Sequence, residues 1–228
     1  MAITLGEVTF DPRATHVREQ LEEVGGRDER RIILSGVVSG LPTRAEIEAR
    51  LDAIVQAASA DDWSAALQLR PGRRLRVRRD AYTREIDASG RTGSFELKLG
   101  ARDPFEESTD AVTVTWAIDG DGATCALDTD GNASARPIVT LTAVTDLVYP
   151  ALDDDERRIV YDGIVHAGSL LLFDAAEGRA LLDDADVTPY AFGAFPLVSP
   201  GGTTLVYRGD PSTPHEAAAT IAYRHRWW

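Results

Sequence analysis

Apolar residues return at the helical period over 43–59, where Ile47, Leu51, Ile54, Val55 and Ala58 form one stripe with Glu46, Arg50 and Gln56 outside it. Thr43 followed by Glu46 fits a capping box, and Pro42 discourages any earlier helical residue. The stripe predicts a helix packed on a sheet. A weaker helical candidate covers 14–24, with charges at Arg18, Glu19, Glu22 and Glu23 and Gly25-Gly26 to end it. The same residues also read as a mobile, charged arm.

Almost everything else follows period two. The apolar run 31–38 suits a buried strand; Arg74, Leu75, Arg76, Val77 and Arg78 alternate, as do Phe95, Leu97 and Leu99. Val112, Val114, Trp116 and Ile118 share one face, with Thr113, Thr115 and Ala117 on the other. Further strands are predicted at 138–144, 157–161, 170–173, 179–182, 203–207 and 220–227. In the last of these, Ile221, Tyr223, His225 and Trp227 line one side. Gly, Pro and Asp clusters punctuate the strands as in antiparallel sandwiches and barrels, so the expected fold class is mainly β. The turn-rich, acidic stretch 119–137 separates a helix-containing part from a strand-only part. It predicts domains at 1–122 and 123–228, the alternative being a long hairpin loop within one domain.

Charge narrows the choice of partners. Twenty-four basic against 37 acidic residues leave a net −13, a poor general binder of nucleic acid or anionic membrane. Lys98 is the sole lysine; arginine in its place, with abundant Asp and Ala, points to a GC-rich genome and also fits salt adaptation. Arginine also suits desolvated ion pairs at interfaces. Leu170, Leu171, Leu172 and Phe173 form one of the longest strongly apolar runs, far too short to cross a bilayer. The first seven residues have neither a basic start nor a long apolar stretch, so no secretory signal is expected. Cys125 is the only cysteine, which removes intrachain disulfides and Cys-rich zinc sites.

Tests for chemistry find little. Asp119, Asp121, Asp128, Asp130 and Asn132 are hard oxygen donors, but Gly131 follows only two alternating ligands and no glutamate closes a calcium loop. Turn capping accounts better for them. His16, His166, His215 and His225 are scattered without metal-ligand spacing; no Gly-x-Ser-x-Gly elbow or phosphate-binding loop exists. Nothing beside Cys125 would lower its thiol pKa. The expectation is a non-enzyme without metal or cofactor. The basic run 73–79 reads as a solvated face or as a partner for acidic neighbours.

The C-terminal half carries a recognisable order of motifs. It runs Arg136-Pro137-Ile138-Val139-Thr140-Leu141, then Gly168-Ser169-Leu170-Leu171-Leu172-Phe173-Asp174, then Glu177-Gly178-Arg179-Ala180. Phe195-Pro196-Leu197-Val198-Ser199-Pro200-Gly201-Gly202-Thr203-Thr204-Leu205-Val206-Tyr207 follows, and Tyr223-Arg224-His225-Arg226-Trp227 closes it. Upstream, the stretch 36–40 before the helix, Gly72-Arg73-Arg74-Leu75, and Phe95 through Ala101-Arg102-Asp103-Pro104-Phe105 are compatible. Together these span most of 31–228. The order resembles the distal tail proteins of long-tailed, non-contractile phages and related viruses of siphovirus type. Two departures touch turns: Thr203 stands where asparagine is usual, and Asp183-Asp184 replaces Asn-Gly.

The resemblance implies a tail-tube-like N-terminal β-barrel or sandwich with one helix that forms a ring, and a galectin-like C-terminal β-sandwich. It implies a homo-hexamer at the virion tail tip, assembled in the host cytoplasm. The ring would join the tail-tube protein to hub and fibre or receptor-binding proteins, with DNA passing through its lumen unbound and no membrane or cofactor involved. Interface candidates are the 14–31 arm, Arg73, Arg74, Arg76 and Arg78 on the arginine strand, and Trp228. For the terminal pair, the plainer expectation is core closure by Trp227 with a frayed Trp228. Rival readings are a major tail-tube subunit, and a carbohydrate-binding sandwich that stacks sugars on Trp63, Trp116 or Trp228.

Overall fold

In the computed structural model, which describes residues 2–24 and 27–228, Thr43 caps the helix α1 (Arg44–Gln56) through a complete capping box with Glu46. Ile47, Leu51 and Ile54 are the buried face, as the stripe predicts. By packing, the chain divides after Thr109, Trp228 grouping with the first unit and Asp110–Trp227 forming the second.

The first unit contains β1 (Ile3–Leu5), β2 (Val8–Phe10), β3 (Thr15–Val24), β4 (Arg27–Ser39), β5 (Ala65–Gln68), β6 (Arg73–Ile86), β7 (Thr92–Ala101) and β8 (Glu106–Ser108). These strands lie in the antiparallel order β2-β1-β5-β6-β7-β4-β3, with β8 on β6. The path is an open sheet; its two ends do not pair to close a barrel among the described residues. Leu34, Leu75, Val77, Leu97 and Leu99 turn inward with the helix stripe to make one core. Gly93 of β7 lets α1 approach, because a Cβ there would lie 2.8 Å from Leu51 and 2.9 Å from Ile47.

The segment 14–24 is neither a helix nor a loose arm. From Thr15 to Val24 it pairs residue by residue with β4, Thr15 opposite Gly36 and Val24 opposite Arg27. A ten-residue ladder satisfies the backbone groups on its β4 side and outweighs its modest helical preference. The Gly25-Gly26 pair lies outside the described residues.

The second unit comprises β9 (Val112–Ile118), β10 (Thr124–Leu127), β11 (Ile138–Ala143), β12 (Leu147–Val148), β13 (Ala151–Asp153), β14 (Arg158–Tyr161), β15 (Ile164–Val165) and β16 (Leu170–Asp174). It continues with β17 (Arg179–Leu182), β18 (Ala185–Asp186), a 3-10 turn (Thr188–Tyr190), β19 (Ala191–Gly193), β20 (Thr203–Arg208), β21 (Ala217–Tyr223) and β22 (Arg226–Trp227). Two antiparallel sheets, β10-β20-β13-β14-β19 and β18-β17-β16-β11-β21-β9, share one core. Ile159 and Tyr207 from the first meet Leu141, Phe173 and Ile221 from the second, giving a β-sandwich. β9 pairs β21 along its whole length, from Val112–Tyr223 to Ile118–Ala217, so it packs with this unit, and the stretch 119–137 lies inside it.

Two details depart from the expected strands. The span 220–227 is not one strand: β21 starts at Ala217 and ends at Tyr223. His225 there accepts the Asp130 N–H at Nδ1 (3.1 Å), and β22 follows. The Asp183-Asp184 turn between β17 and β18 has φ of 47° and 66°, the left-handed pair that a two-residue hairpin turn demands. Asp-Asp thus performs the geometry usual for Asn-Gly.

Candidate assembly surfaces

The β3–β4 hairpin gives the first unit a long free border. β3 is the last strand of its sheet, so ten residues of backbone have no strand on one side among the described residues, and Val17 and Leu21 are exposed. Besides the ladder of β4 to β7, from Arg30 opposite Ala101 to Ser39 opposite Thr92, a charged knot that sequence reading missed ties the hairpin to the body. Arg30 of β4 donates to the Pro104 carbonyl (3.1 Å) and to Glu106 (3.2 Å), and also pairs with Glu19 of β3. Arg70 pairs with the same Glu106 and lies 3.9 Å from Glu19. The side chains of Arg30 and Glu106 are only 9% and 4% exposed. A guanidinium so far from water is tolerated because several acceptors meet its fork. The one local signal was the Asp103-Pro104-Phe105 motif, which immediately precedes Glu106 and supplies the carbonyl that Arg30 grips.

The four candidate arginines of β6 are not an equivalent row. Arg74 lies 3.7 Å from Glu107, its neighbour across the β6–β8 pairing. Arg78 sits 3.4 Å from Asp80 and covers the Trp63 ring at 4.4 Å. Arg73 is half-buried opposite Ser108, and Arg76 is exposed. Further along β6 the basic and phenolic groups secure the helix. Arg79 donates to the Val55 carbonyl at the helix C-terminus, Tyr82 to the Leu51 carbonyl (2.8 Å), and Arg84 to Asp52.

The tryptophans offer no common platform. Trp116 is in the sandwich core, and Trp63 lies under Arg78. Trp228 is 56% exposed, its ring 4.9 Å from that of Phe105. Trp227 is half-buried rather than a core plug, 6.0 Å from the His225 ring.

The candidate chemical groups are engaged in structure. Asp128 accepts from Thr129 N–H (2.8 Å) and Asp121 from Gly209 N–H (3.2 Å). No metal-competent cluster of His, Cys, Asp or Glu occurs among the described residues. His16 is exposed, and His166 lies 3.4 Å from Asp146. His215 is buried, with Nδ1 2.9 Å from the Tyr207 hydroxyl and Nε2 2.9 Å from the Asp210 carbonyl. Cys125 lies in β10, and burial pushes its thiol pKa up, away from nucleophilic use. One cleft of about 400 Å³ is walled by Asp119, Asp121, Thr145, Pro214 and Glu216 with His215 at hand. No helix among the described residues is long and apolar enough to cross a membrane.

Charge is divided unevenly. The first 109 residues carry 19 acidic and 17 basic side chains, a net −2, whereas 110–228 carry 18 acidic and 7 basic, a net −11. The chain's acidity therefore belongs to the sandwich unit.

The sequence matches no protein-family model and no curated protein. Among solved structures it is similar to the crystal structure of the SPP1 Dit (gp 19.1) protein, described as a paradigm of hub adsorption apparatus in Gram-positive infecting phages. The TM-score is 0.68 at 13% identity, over 100% of this chain and 99% of that one. At that identity the likeness is one of fold.

Proposed function

We propose that the chain is a distal tail protein of a long-tailed, non-contractile phage or related virus: a structural, non-enzymatic subunit. Six copies would form a ring at the virion tail tip and join the tail tube to hub and fibre or receptor-binding proteins. The observation that carries this reading is the whole-chain similarity to SPP1 Dit, which takes in both units. The order of motifs from Phe95 to Trp227 supports it independently. A tail-tube subunit would need only the first unit's architecture, so coverage of the second favours the distal protein.

The physical features suit the task. A head-to-tail ring closes through two different surfaces of each subunit. The free border of β3 and the exposed Arg76 supply one kind of surface, to be met by backbone groups and carboxylates of a neighbour. In this reading the first unit makes the ring, and the second is a galectin-like sandwich projecting outward. The near-neutral first unit then lines the lumen, offering DNA phosphates no excess of positive charge to bind. The net −11 of the second unit then lies outside the lumen in this reading. Assembly occurs in the host cytoplasm, with no membrane or cofactor. The test is gold-labelled antibody against this chain on intact particles: label confined to the tail tip supports the proposal, and label along the whole tail or absent from particles overturns it.

A further inference from the structure

At one corner of the sandwich unit, aromatic side chains stand out of the surface. Tyr149 is 50% exposed, Tyr190 58% and Phe192 55%. Backbone hydrogen bonds place them together: the Tyr149 N–H donates to the Gly163 carbonyl (2.9 Å), and the Asp162 N–H donates to the Tyr190 carbonyl (2.8 Å). The Asp162-Gly163 turn is thus flanked by the two tyrosines, about one strand spacing to either side. Ile164, also exposed, follows the turn. Tyr149 holds φ of 51°, a left-handed conformation costly for a bulky residue. Phe192 lies on β19, the terminal strand of its sheet, paired with β14 and with no second strand among the described residues.

The surrounding charge selects the ligand. Asp162 is exposed and forms no ion pair among the described residues. The nearest arginines along β14 and β20, Arg158 and Arg208, direct their guanidinium groups to Asp153, at 3.3 and 3.5 Å. The whole unit is net −11. Aromatic faces beside an unneutralised carboxylate favour a cation with an apolar stem, and a free strand edge favours an extended chain. We infer that this corner docks an extended, arginine- or lysine-bearing segment of another polypeptide. The segment adds along β19 and lays its cationic side chains over Tyr149, Tyr190 and Phe192 toward Asp162. This inference goes beyond the tail-tip reading and holds for any role of the chain.

The test uses the full chain and a fluorescent octa-arginine peptide at about 0.15 M salt, where surface charges beyond about 8 Å are largely screened. Octaglutamate and a neutral Gly-Ser peptide serve as comparisons. Octa-arginine alone is expected to bind. Removing the rings with Tyr149→Ala, Tyr190→Ala and Phe192→Ala, which keeps every charge, is expected to weaken it by about tenfold. Asp162→Asn should weaken it several-fold and Asp61→Asn, in the first unit, should leave it unchanged. Circular dichroism checks folding, and Tyr190→Ala alone replaces the triple variant if that one unfolds. Failure of octa-arginine to bind, equal binding by the ringless variant, or equal loss in Asp61→Asn overturns the inference. Saturable binding of a neutral oligosaccharide in place of the peptide also overturns it. Oligomeric mass is read on the same samples and should not change, so this inference and the tail-tip reading fail separately.

Discussion

The guanidinium of Arg30 lies 3.2 Å from the carboxylate of Glu106, 76 residues further along the chain, with both side chains more than nine-tenths shielded from solvent. This pair and its companions Glu19 and Arg70 tie the turn-proximal part of the β3–β4 hairpin to β8. Arg30→Met leaves Glu106 buried with only Arg70 to answer it, and is expected to cost about 3 kcal/mol in the first unit. Arg30→Met with Glu106→Leu is expected to recover most of that loss. Urea unfolding, with hydrogen exchange in β3 to identify the unit, checks both. Equal destabilisation of the single and double variants would contradict the assignment.

Asp184, at φ 66°, occupies a turn position where glycine carries no steric penalty. Asp184→Gly is expected to stabilise the sandwich by about 0.5–1 kcal/mol, raising its melting temperature by about 2–4 °C. The neighbouring Asp183 behaves differently. Its carboxyl pKa is held below the usual carboxylate range, first by the Leu170 N–H and then by Ser169. A depressed folded-state pKa gives stability that is present above the ordinary carboxylate pKa and is lost as pH falls through the folded value. Asp183→Asn keeps an acceptor for Leu170 and should make the acid limb of the melting profile shallower.

Tyr207 is fully buried, and its hydroxyl donates to His215 Nδ1 while His215 Nε2 donates to the Asp210 carbonyl. Tyr207→Phe removes the donor and leaves a buried ring nitrogen without it, a loss of about 1–3 kcal/mol on calorimetry. Burial, with a smaller contribution from Asp121, pushes the Tyr207 hydroxyl pKa far above the ordinary tyrosine range. Ultraviolet titration of the phenols should therefore show one tyrosine silent until the protein unfolds.

Eighteen carboxylates against seven arginines in 110–228 repel one another. Raising salt from about 0.1 to 1 M shortens the screening length from about 10 to 3 Å. The sandwich transition is expected to move to higher temperature over that range, with the first unit changing less. Equal shifts in both units would contradict the division of charge.

What the sequence made legible follows from where each segment packs. α1 was readable because a capping box and a one-sided stripe agree, and β7 because Phe95, Leu97 and Leu99 all turn into one core. β3 was not readable, because an edge strand exposed on both faces has no alternation to display. Its Val17, Leu21 and Val24 instead stand four and three apart, as on a helix. β1 and β2, three residues each, are too short to show any period. The arginine strand was legible as a strand, yet its roles depend on what lies across it: Glu107 for Arg74 and the Trp63 face for Arg78. The Arg30–Glu106 pair joins distant segments and leaves no local pattern.

Native mass spectrometry of the purified full chain across a concentration series, with negative-stain images of the same samples, tests the central claim most directly. The account predicts a species of six times the 24.7 kDa chain, seen as closed rings with a central opening. A 24.7 kDa species at every concentration, with no ring in the images, would contradict it.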